Sequence, residues 1–160
     1  MFFRKASEGI PPFFMNSSFT TADHVVWDCT YHIVIAPKYR KKILYGDVRV
    51  QIGKILRKLA ERKGVRVLEG TACPDHVHMV LSIPPKYSVA HIMGFLKGKS
   101  AIMIHNAFPK KRFMLGQKSF WSGGYFVRTA GVDREIIEKY VRDQWKKDQF
   151  FDGPELDLHW

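Results

Sequence analysis

With 160 residues, 46% of them hydrophobic and 14% aromatic, the chain can bury one sizeable core, which excludes wholesale disorder and points to a single domain. Its 26 Lys and Arg outnumber 15 Asp and Glu for a net charge of +11, and the acidic residues 148–160 leave the preceding body more basic still, which favours a polyanion such as nucleic acid as partner. No apolar run approaches the roughly 18 residues of a membrane span, residues 1–18 lack the continuous apolar segment of a signal peptide, and two cysteines, Cys29 and Cys73, suit a reduced cytoplasmic protein better than a disulfide scaffold.

Residues 1–22 are expected to be a poorly ordered extension, residues 23–147 the folded domain, and residues 148–160 an acidic tail. The first strong element covers residues 24–36, where Trp27, Cys29, Tyr31, Ile33 and Ile35 alternate with Asp28, Thr30 and His32, the period of a half-buried strand. Pro37 ends it. Lys38, Tyr39 and Arg40 then combine two charges with an aromatic ring, a set suited to nucleic-acid contact. Asp47 is expected to cap a helix running to about residue 63, with Ile52, Ile55, Leu56 and Leu59 as its apolar stripe and Gly64 as its stop. Its outer face carries Arg49, Lys54, Arg57, Lys58, Arg62 and Lys63, among which Arg57 and Lys58 are candidate phosphate contacts, with a solvated face the equal alternative.

Residues 65–71 and 76–83 read as a hairpin turning at Pro74-Asp75. Ser88 is placed to cap a helix reaching about residue 106. A basic loop over residues 110–118 follows, then Gly123-Gly124 and a strand over residues 125–129. Asp133 is expected to cap a last helix to about residue 147. The order βαββαβ with one added helix indicates an α+β, ferredoxin-like or RRM-like sandwich, with two helices on one sheet face and the other face open for a site.

The most informative segment is Pro74-Asp75-His76-Val77-His78-Met79-Val80. Residues two apart on a strand point the same way, so His76 and His78 project together while Val77, Met79, Leu81 and Ile83 face the core. Two imidazoles on an open face can ligate one cation. On the last helix, Tyr140 and Gln144 stand four apart and share a side. Alone, this tyrosine reads better as packing than as chemistry. What it offers beyond packing is a phenolate that can attack a phosphodiester, and the Gln144 amide oxygen is a hard metal ligand.

Tyr31-His32-Ile33-Val34-Ile35-Ala36-Pro37-Lys38-Tyr39-Arg40, then Pro74-Asp75-His76-Val77-His78, Leu96-Lys97-Gly98-Lys99-Ser100, Phe120-Trp121, Gly124-Tyr125-Phe126-Val127, Tyr140 and Gln144 together resemble the HUH-type single-tyrosine transposases of small prokaryotic insertion sequences, the TnpA, IS200-like type. The resemblance runs from about residue 24 to 147. It implies that His76, His78 and Gln144 bind a divalent metal, Mg2+ or Mn2+, and that Tyr140 attacks the scissile phosphate, leaving a 5′-phosphotyrosine and a free 3′-hydroxyl. It also implies a homodimer acting on single-stranded DNA with subterminal hairpins, in which the tyrosine helix can complete the partner's active site. Lys97 and Lys99 become candidate DNA contacts.

Rival readings are weaker. Gly94-Phe95-Leu96-Lys97-Gly98-Lys99-Ser100 has one residue too few between its glycines for a phosphate-binding loop and falls within a helical pattern. A zinc site of Cys29, Cys73, His76 and His78 is disfavoured because Cys29 falls on the apolar face of its strand. A non-catalytic single-stranded nucleic-acid binder, stacking bases on Phe120, Trp121 or Tyr125, leaves the paired histidines unexplained. A related HUH nickase shares them, although such enzymes often carry a third histidine in place of Gln144. His32 belongs to the face of His76 and His78 if its strand neighbours theirs, most simply as a satisfied structural histidine.

Overall fold

The computed structural model describes residues 20–22, 25–116, 119–130, 135–136 and 138–143. Thr20–Ala22 (β1) pairs antiparallel with Val25–Trp27 (β2) in a separate ribbon, so paired structure begins within the segment expected to be an extension. Thr30–Ile35 (β3) starts after a break. The single strand expected over residues 24–36 is therefore two strands, and at the break between them the Asp28 carboxylate accepts a 2.6 Å hydrogen bond from Thr30 Oγ1.

Gly46–Arg62 (α1) leads to the hairpin Arg66–Cys73 (β4) and His76–Ser82 (β5), then Val89–Ala107 (α2) and Phe126–Thr129 (β6). The main sheet has the order β4-β5-β3-β6 with every pairing antiparallel, which is the ferredoxin-like arrangement expected. Ile33, Ile35, Val77, Met79 and Leu81 project from one sheet face and meet Ile52, Ile55, Leu56 and Leu59 of α1 and Ile92, Met93 and Leu96 of α2. Both long helices therefore lie on that face.

Helix ends follow local chemistry, with two corrections. Tyr45, not Asp47, is the N-cap of α1; Asp47 stands in the first turn, where its carboxylate accepts from the Val48 N–H at 3.0 Å and pairs with Lys111 at 2.9 Å, and negative charge there suits the helix dipole. Arg49, expected on the outer face, is instead buried at 3% exposure. Gly64 closes α1 as anticipated, with φ at +66°. Ser88 caps α2, its Oγ accepting from the His91 N–H at 3.1 Å. The glycine-rich stretch at residues 94–100 lies wholly inside α2, and Ser100 is buried with its hydroxyl accepting from Trp121 Nε1 at 2.8 Å.

The second sheet face is not fully open. Val141 is completely buried against Val80, Ala130 and Leu68, and Arg142 Nε donates to Glu69 Oε2 of β4 at 3.0 Å. The helical residues 138–143 thus cover part of that face, where a small second core forms.

Candidate active site

The period of two along β5 puts His76, His78 and Val80 on the face opposite the main core. In the β3–β5 register Val34 stands opposite His78 and His32 opposite Val80, so His32 and His78 are diagonal neighbours on one face. Their rings stack with centroids 5.2 Å apart, and His32 Nε2 lies 3.0 Å from His78 Nδ1, one proton serving the pair. His76 and His78 have centroids 4.8 Å apart.

Hydrogen bonding fixes what each ring presents. Asp75 Oδ1 lies 2.6 Å from His76 Nδ1, and a carboxylate accepts, so His76 keeps the Nε2 lone pair for another partner. The same carboxylate is gripped from its other oxygen by Arg40 at 3.0 Å. Burial alone would raise the Asp75 carboxyl, but the bond to His76, the charges of His76 and Arg40 and a backbone hydrogen bond outweigh it and hold it below the usual carboxylate range. His78 Nδ1 is engaged by His32, while His78 Nε2 is buried with no partner among the described residues. Burial, then the neighbouring His76 and His32, push His78 down to about 3. Burial and then Arg128 lower His32 as well. Neutral imidazoles with free Nε2 lone pairs are what a metal ion requires, and the orphaned Nε2 of His78 fits one.

Cys73 joins this group. It stands directly opposite His76 in the β4–β5 register, and donor atoms of Cys73, His76 and His78 lie within 4.8 Å of one another. Cys29, half-buried and outside any strand, is not part of the cluster. The four-residue zinc set weighed from sequence therefore loses Cys29 but keeps the other three.

Tyr140 reaches the same place from the C-terminal helical segment. Its ring centroid is 6.4 Å from that of His78 and 6.2 Å from that of His32, edge-on to both, and the side chain is 45% exposed. Gln144, expected as a further ligand, lies outside the described residues.

The candidate DNA contacts divide. Lys38, Tyr39 and Arg40 are exposed at the end of β3 beside Asp75, with Lys38 Nζ 5.5 Å from the Tyr39 ring centroid. Tyr39 and Arg40 both hold positive φ, +63° and +48°, an unfavourable conformation for side-chain-bearing residues and one often kept at working sites. Arg57 and Lys58 belong to α1, behind the sheet from the histidines. Lys97 Nζ donates to the Gly124 carbonyl at 2.9 Å, and burial lowers its pKa; Lys99 is exposed on α2. Phe120 and Trp121 are core residues rather than a stacking platform, whereas Tyr125 is partly exposed. Sequence reasoning missed the Arg40–Asp75–His76 chain. Its only signal was the adjacency of Asp75 to His76.

Fold and site together define an α+β sandwich with a histidine-rich centre and a tyrosine on one sheet face. The family profile "Transposase IS200 like" matches residues 25–144. The transposase for insertion sequence element IS200 of Salmonella typhimurium strain LT2 is 48% identical over 135 residues, covering 84% of this chain and 88% of that protein. The ISDra2 transposase TnpA of Deinococcus radiodurans is 32% identical over 124 residues, covering 77% and 89%. Among solved structures, a Deinococcus radiodurans R1 protein described as a transposase superposes with a TM-score of 0.65 at 28% identity, over 78% of this chain and 97% of that one. A REP-associated tyrosine transposase bound to a REP hairpin shares the fold, with a TM-score of 0.55 at 11% identity over 79% and 74%. The chain belongs to the IS200-like transposase family, a family of DNA-processing enzymes.

Proposed function

We propose that this transposase cleaves and rejoins single-stranded DNA at insertion-sequence ends, with Tyr140 as nucleophile. The phenol gives up its proton, its oxygen bonds to the scissile phosphorus, and the bond from phosphorus to the 3′-oxygen breaks. That oxygen takes a proton and leaves as a 3′-hydroxyl, with the 5′ end held on Tyr140. Rejoining is the reverse attack by a 3′-hydroxyl, so bond energy is conserved and no nucleotide cofactor is needed. The single observation carrying this reading is the Tyr140 ring, 6.4 Å from His78 and partly open to solvent, beside a histidine pair with an orphaned Nε2.

His76 and His78, with Gln144 as the further ligand, would hold the divalent ion. When bound, Mg2+ or Mn2+ supplies positive charge that polarises the phosphoryl oxygens and steadies the departing 3′-oxygen. The chain's own residues orient. Asp75 and His32 fix the two imidazoles through their Nδ1 atoms, and Lys38, Tyr39 and Arg40 offer charge and stacking to the strand, whereas Lys99 stands on α2 behind the sheet. Because the Tyr140–His78 spacing lies within one chain, a single copy can assemble both halves of the chemistry. β6 ends the sheet and all four of its residues are exposed, which supports a homodimer formed along that edge. The partner DNA would be a single strand carrying subterminal hairpins.

The test is a covalent-adduct assay with single-stranded DNA bearing the element's ends and Mg2+ or Mn2+. Wild-type protein should yield a DNA-linked species on denaturing gels, and Tyr140→Phe should bind the DNA yet yield none. Adduct at the wild-type level in that variant would sink the assignment. His76→Ala should lose cleavage while retaining DNA binding, since phosphate contacts and metal chemistry draw on different residues.

A further inference from the structure

We infer that Cys73 is a third ligand of the histidine centre and that the centre takes zinc in preference to magnesium or manganese. The inference rests on His76 and His78 being metal ligands, and it adds a donor that changes which ion the site selects.

Geometry carries it. Cys73 and His76 are direct cross-strand partners at the closed end of the β4–β5 hairpin, and Thr71 opposite His78 makes Cys73 the diagonal neighbour of that histidine. Side chains directly opposite on one face of an antiparallel pair start with Cβ atoms about 4.5–5.5 Å apart, close enough to share an ion. Donor atoms of all three already lie within 4.8 Å of one another. The hairpin fixes this spacing, because a one-residue register slip would send all three to the other face.

The histidines are also prepared. Asp75 holds His76 by Nδ1 and His32 holds His78 by Nδ1, which leaves Nε2 of each ring as the nitrogen for an ion. His78 is 6% exposed, and its Nε2 finds no partner among the described residues, a costly state for a buried polar atom. An ion there would satisfy it.

Donor chemistry then selects the ion. The cluster offers one sulfur and two imidazole nitrogens, with no carboxylate among its three donors. Magnesium wants near-octahedral oxygen and manganese favours mixed nitrogen and oxygen, whereas a thiolate with two imidazoles suits zinc, which also stands higher in the divalent affinity order. Cys73, His76 and His78 leave the fourth tetrahedral position to the oxygen donor that the proposed function assigns to Gln144, or to a phosphate oxygen that displaces it. Binding displaces the thiol proton to solvent.

The experiment uses the metal-free full chain without DNA and reads metal binding, not cleavage. Cobalt(II), a spectroscopic stand-in for zinc, is titrated in, and zinc is then used to displace it. One equivalent of cobalt should give a near-ultraviolet thiolate-to-cobalt charge-transfer band that zinc abolishes and Cys29→Ser retains. Cys73→Ser and Cys73→Ala should both lose the band and weaken zinc binding beyond the ~10–100-fold that follows loss of an outer-shell partner. Unchanged thermal melting of either metal-free variant keeps a folding defect out of the comparison. If cobalt binds without the band and is lost in His76→Ala, Cys73 ligation is overturned and the two-histidine centre stands. If cobalt binding survives both His76→Ala and His78→Ala, the histidine centre fails with it.

Discussion

His78 is the residue on which the site's electrostatics converge, since it touches His76, His32 and Tyr140 while lying almost fully buried. In the metal-free protein its pKa falls from the ordinary 6.5 to about 3. Below pH 6.5 the unfolded chain takes up a proton at this position and the folded chain does not, so stability falls as pH drops from 6.5 toward 3. His32, lowered in the same direction, adds to the slope. Unfolding free energies of the metal-free protein from urea titrations should therefore decline between about pH 6.5 and 4.5, a window above the carboxylates, by an amount on the order of a kcal/mol. His78→Gln should flatten that decline, and an unchanged slope would mean the histidine is solvated in the folded state. Much of this centre was legible beforehand: His76 and His78 share a face by the period of a strand, and His32 was predicted to join them if the strands were neighbours. Cys73 entered only within a disfavoured zinc set and Asp75 not at all as a clamp, because both depend on the register and turn of the hairpin, and the partner strand sets these.

Elements announced themselves where amphipathic period and punctuation agreed. The two long helices, the hairpin and the βαββαβ order follow from stripes such as Ile52-Ile55-Leu56-Leu59, from Gly64 and from Ser88. The reading failed in two places: the first strand breaks where Thr30 Oγ1 donates to Asp28, and Arg49 is buried although its spacing marked an outer face. The covering of the second sheet face was illegible for another reason. Val141 alone among the described residues of the C-terminal helical segment is fully buried, too weak a periodic signal to declare a packed helix. Its attachment can be tested directly. Val141→Ser should speed hydrogen exchange of residues 138–143 by at least about tenfold, as expected for loss of more than about 1.4 kcal/mol of local stability. Exchange in β3 and β5 should be little changed. Equal acceleration everywhere would show that the segment belongs to the main cooperative unit.

At the scale of the molecule, the sheet divides charge and chemistry between two sides. α1 with Arg57 and Lys58 backs the main core, and the histidines, Tyr140 and the Lys38–Arg40 corner occupy the other side or its rim. Binding of a short single strand spanning the cleavage site should weaken with salt at a slope of about −0.7 per phosphate neutralised. Lys38→Ala should lower that slope by roughly 0.7, whereas Lys58→Ala, behind the sheet, should leave it unchanged. The reverse pattern in a salt titration would place the strand across the helices. The two sides also differ in depth: a broad core lies under α1 and α2, and among the described residues a small cluster of Val80, Ala130, Leu68 and Val141, with an Arg142–Glu69 pair, lies under the tyrosine segment. An arm resting on so small an apolar cluster can detach and return in microseconds to milliseconds while the body stays folded. A DNA end bonded to Tyr140 would be ferried by that arm, so the interval between cleavage and rejoining would be clocked by the arm's excursions rather than by bond chemistry.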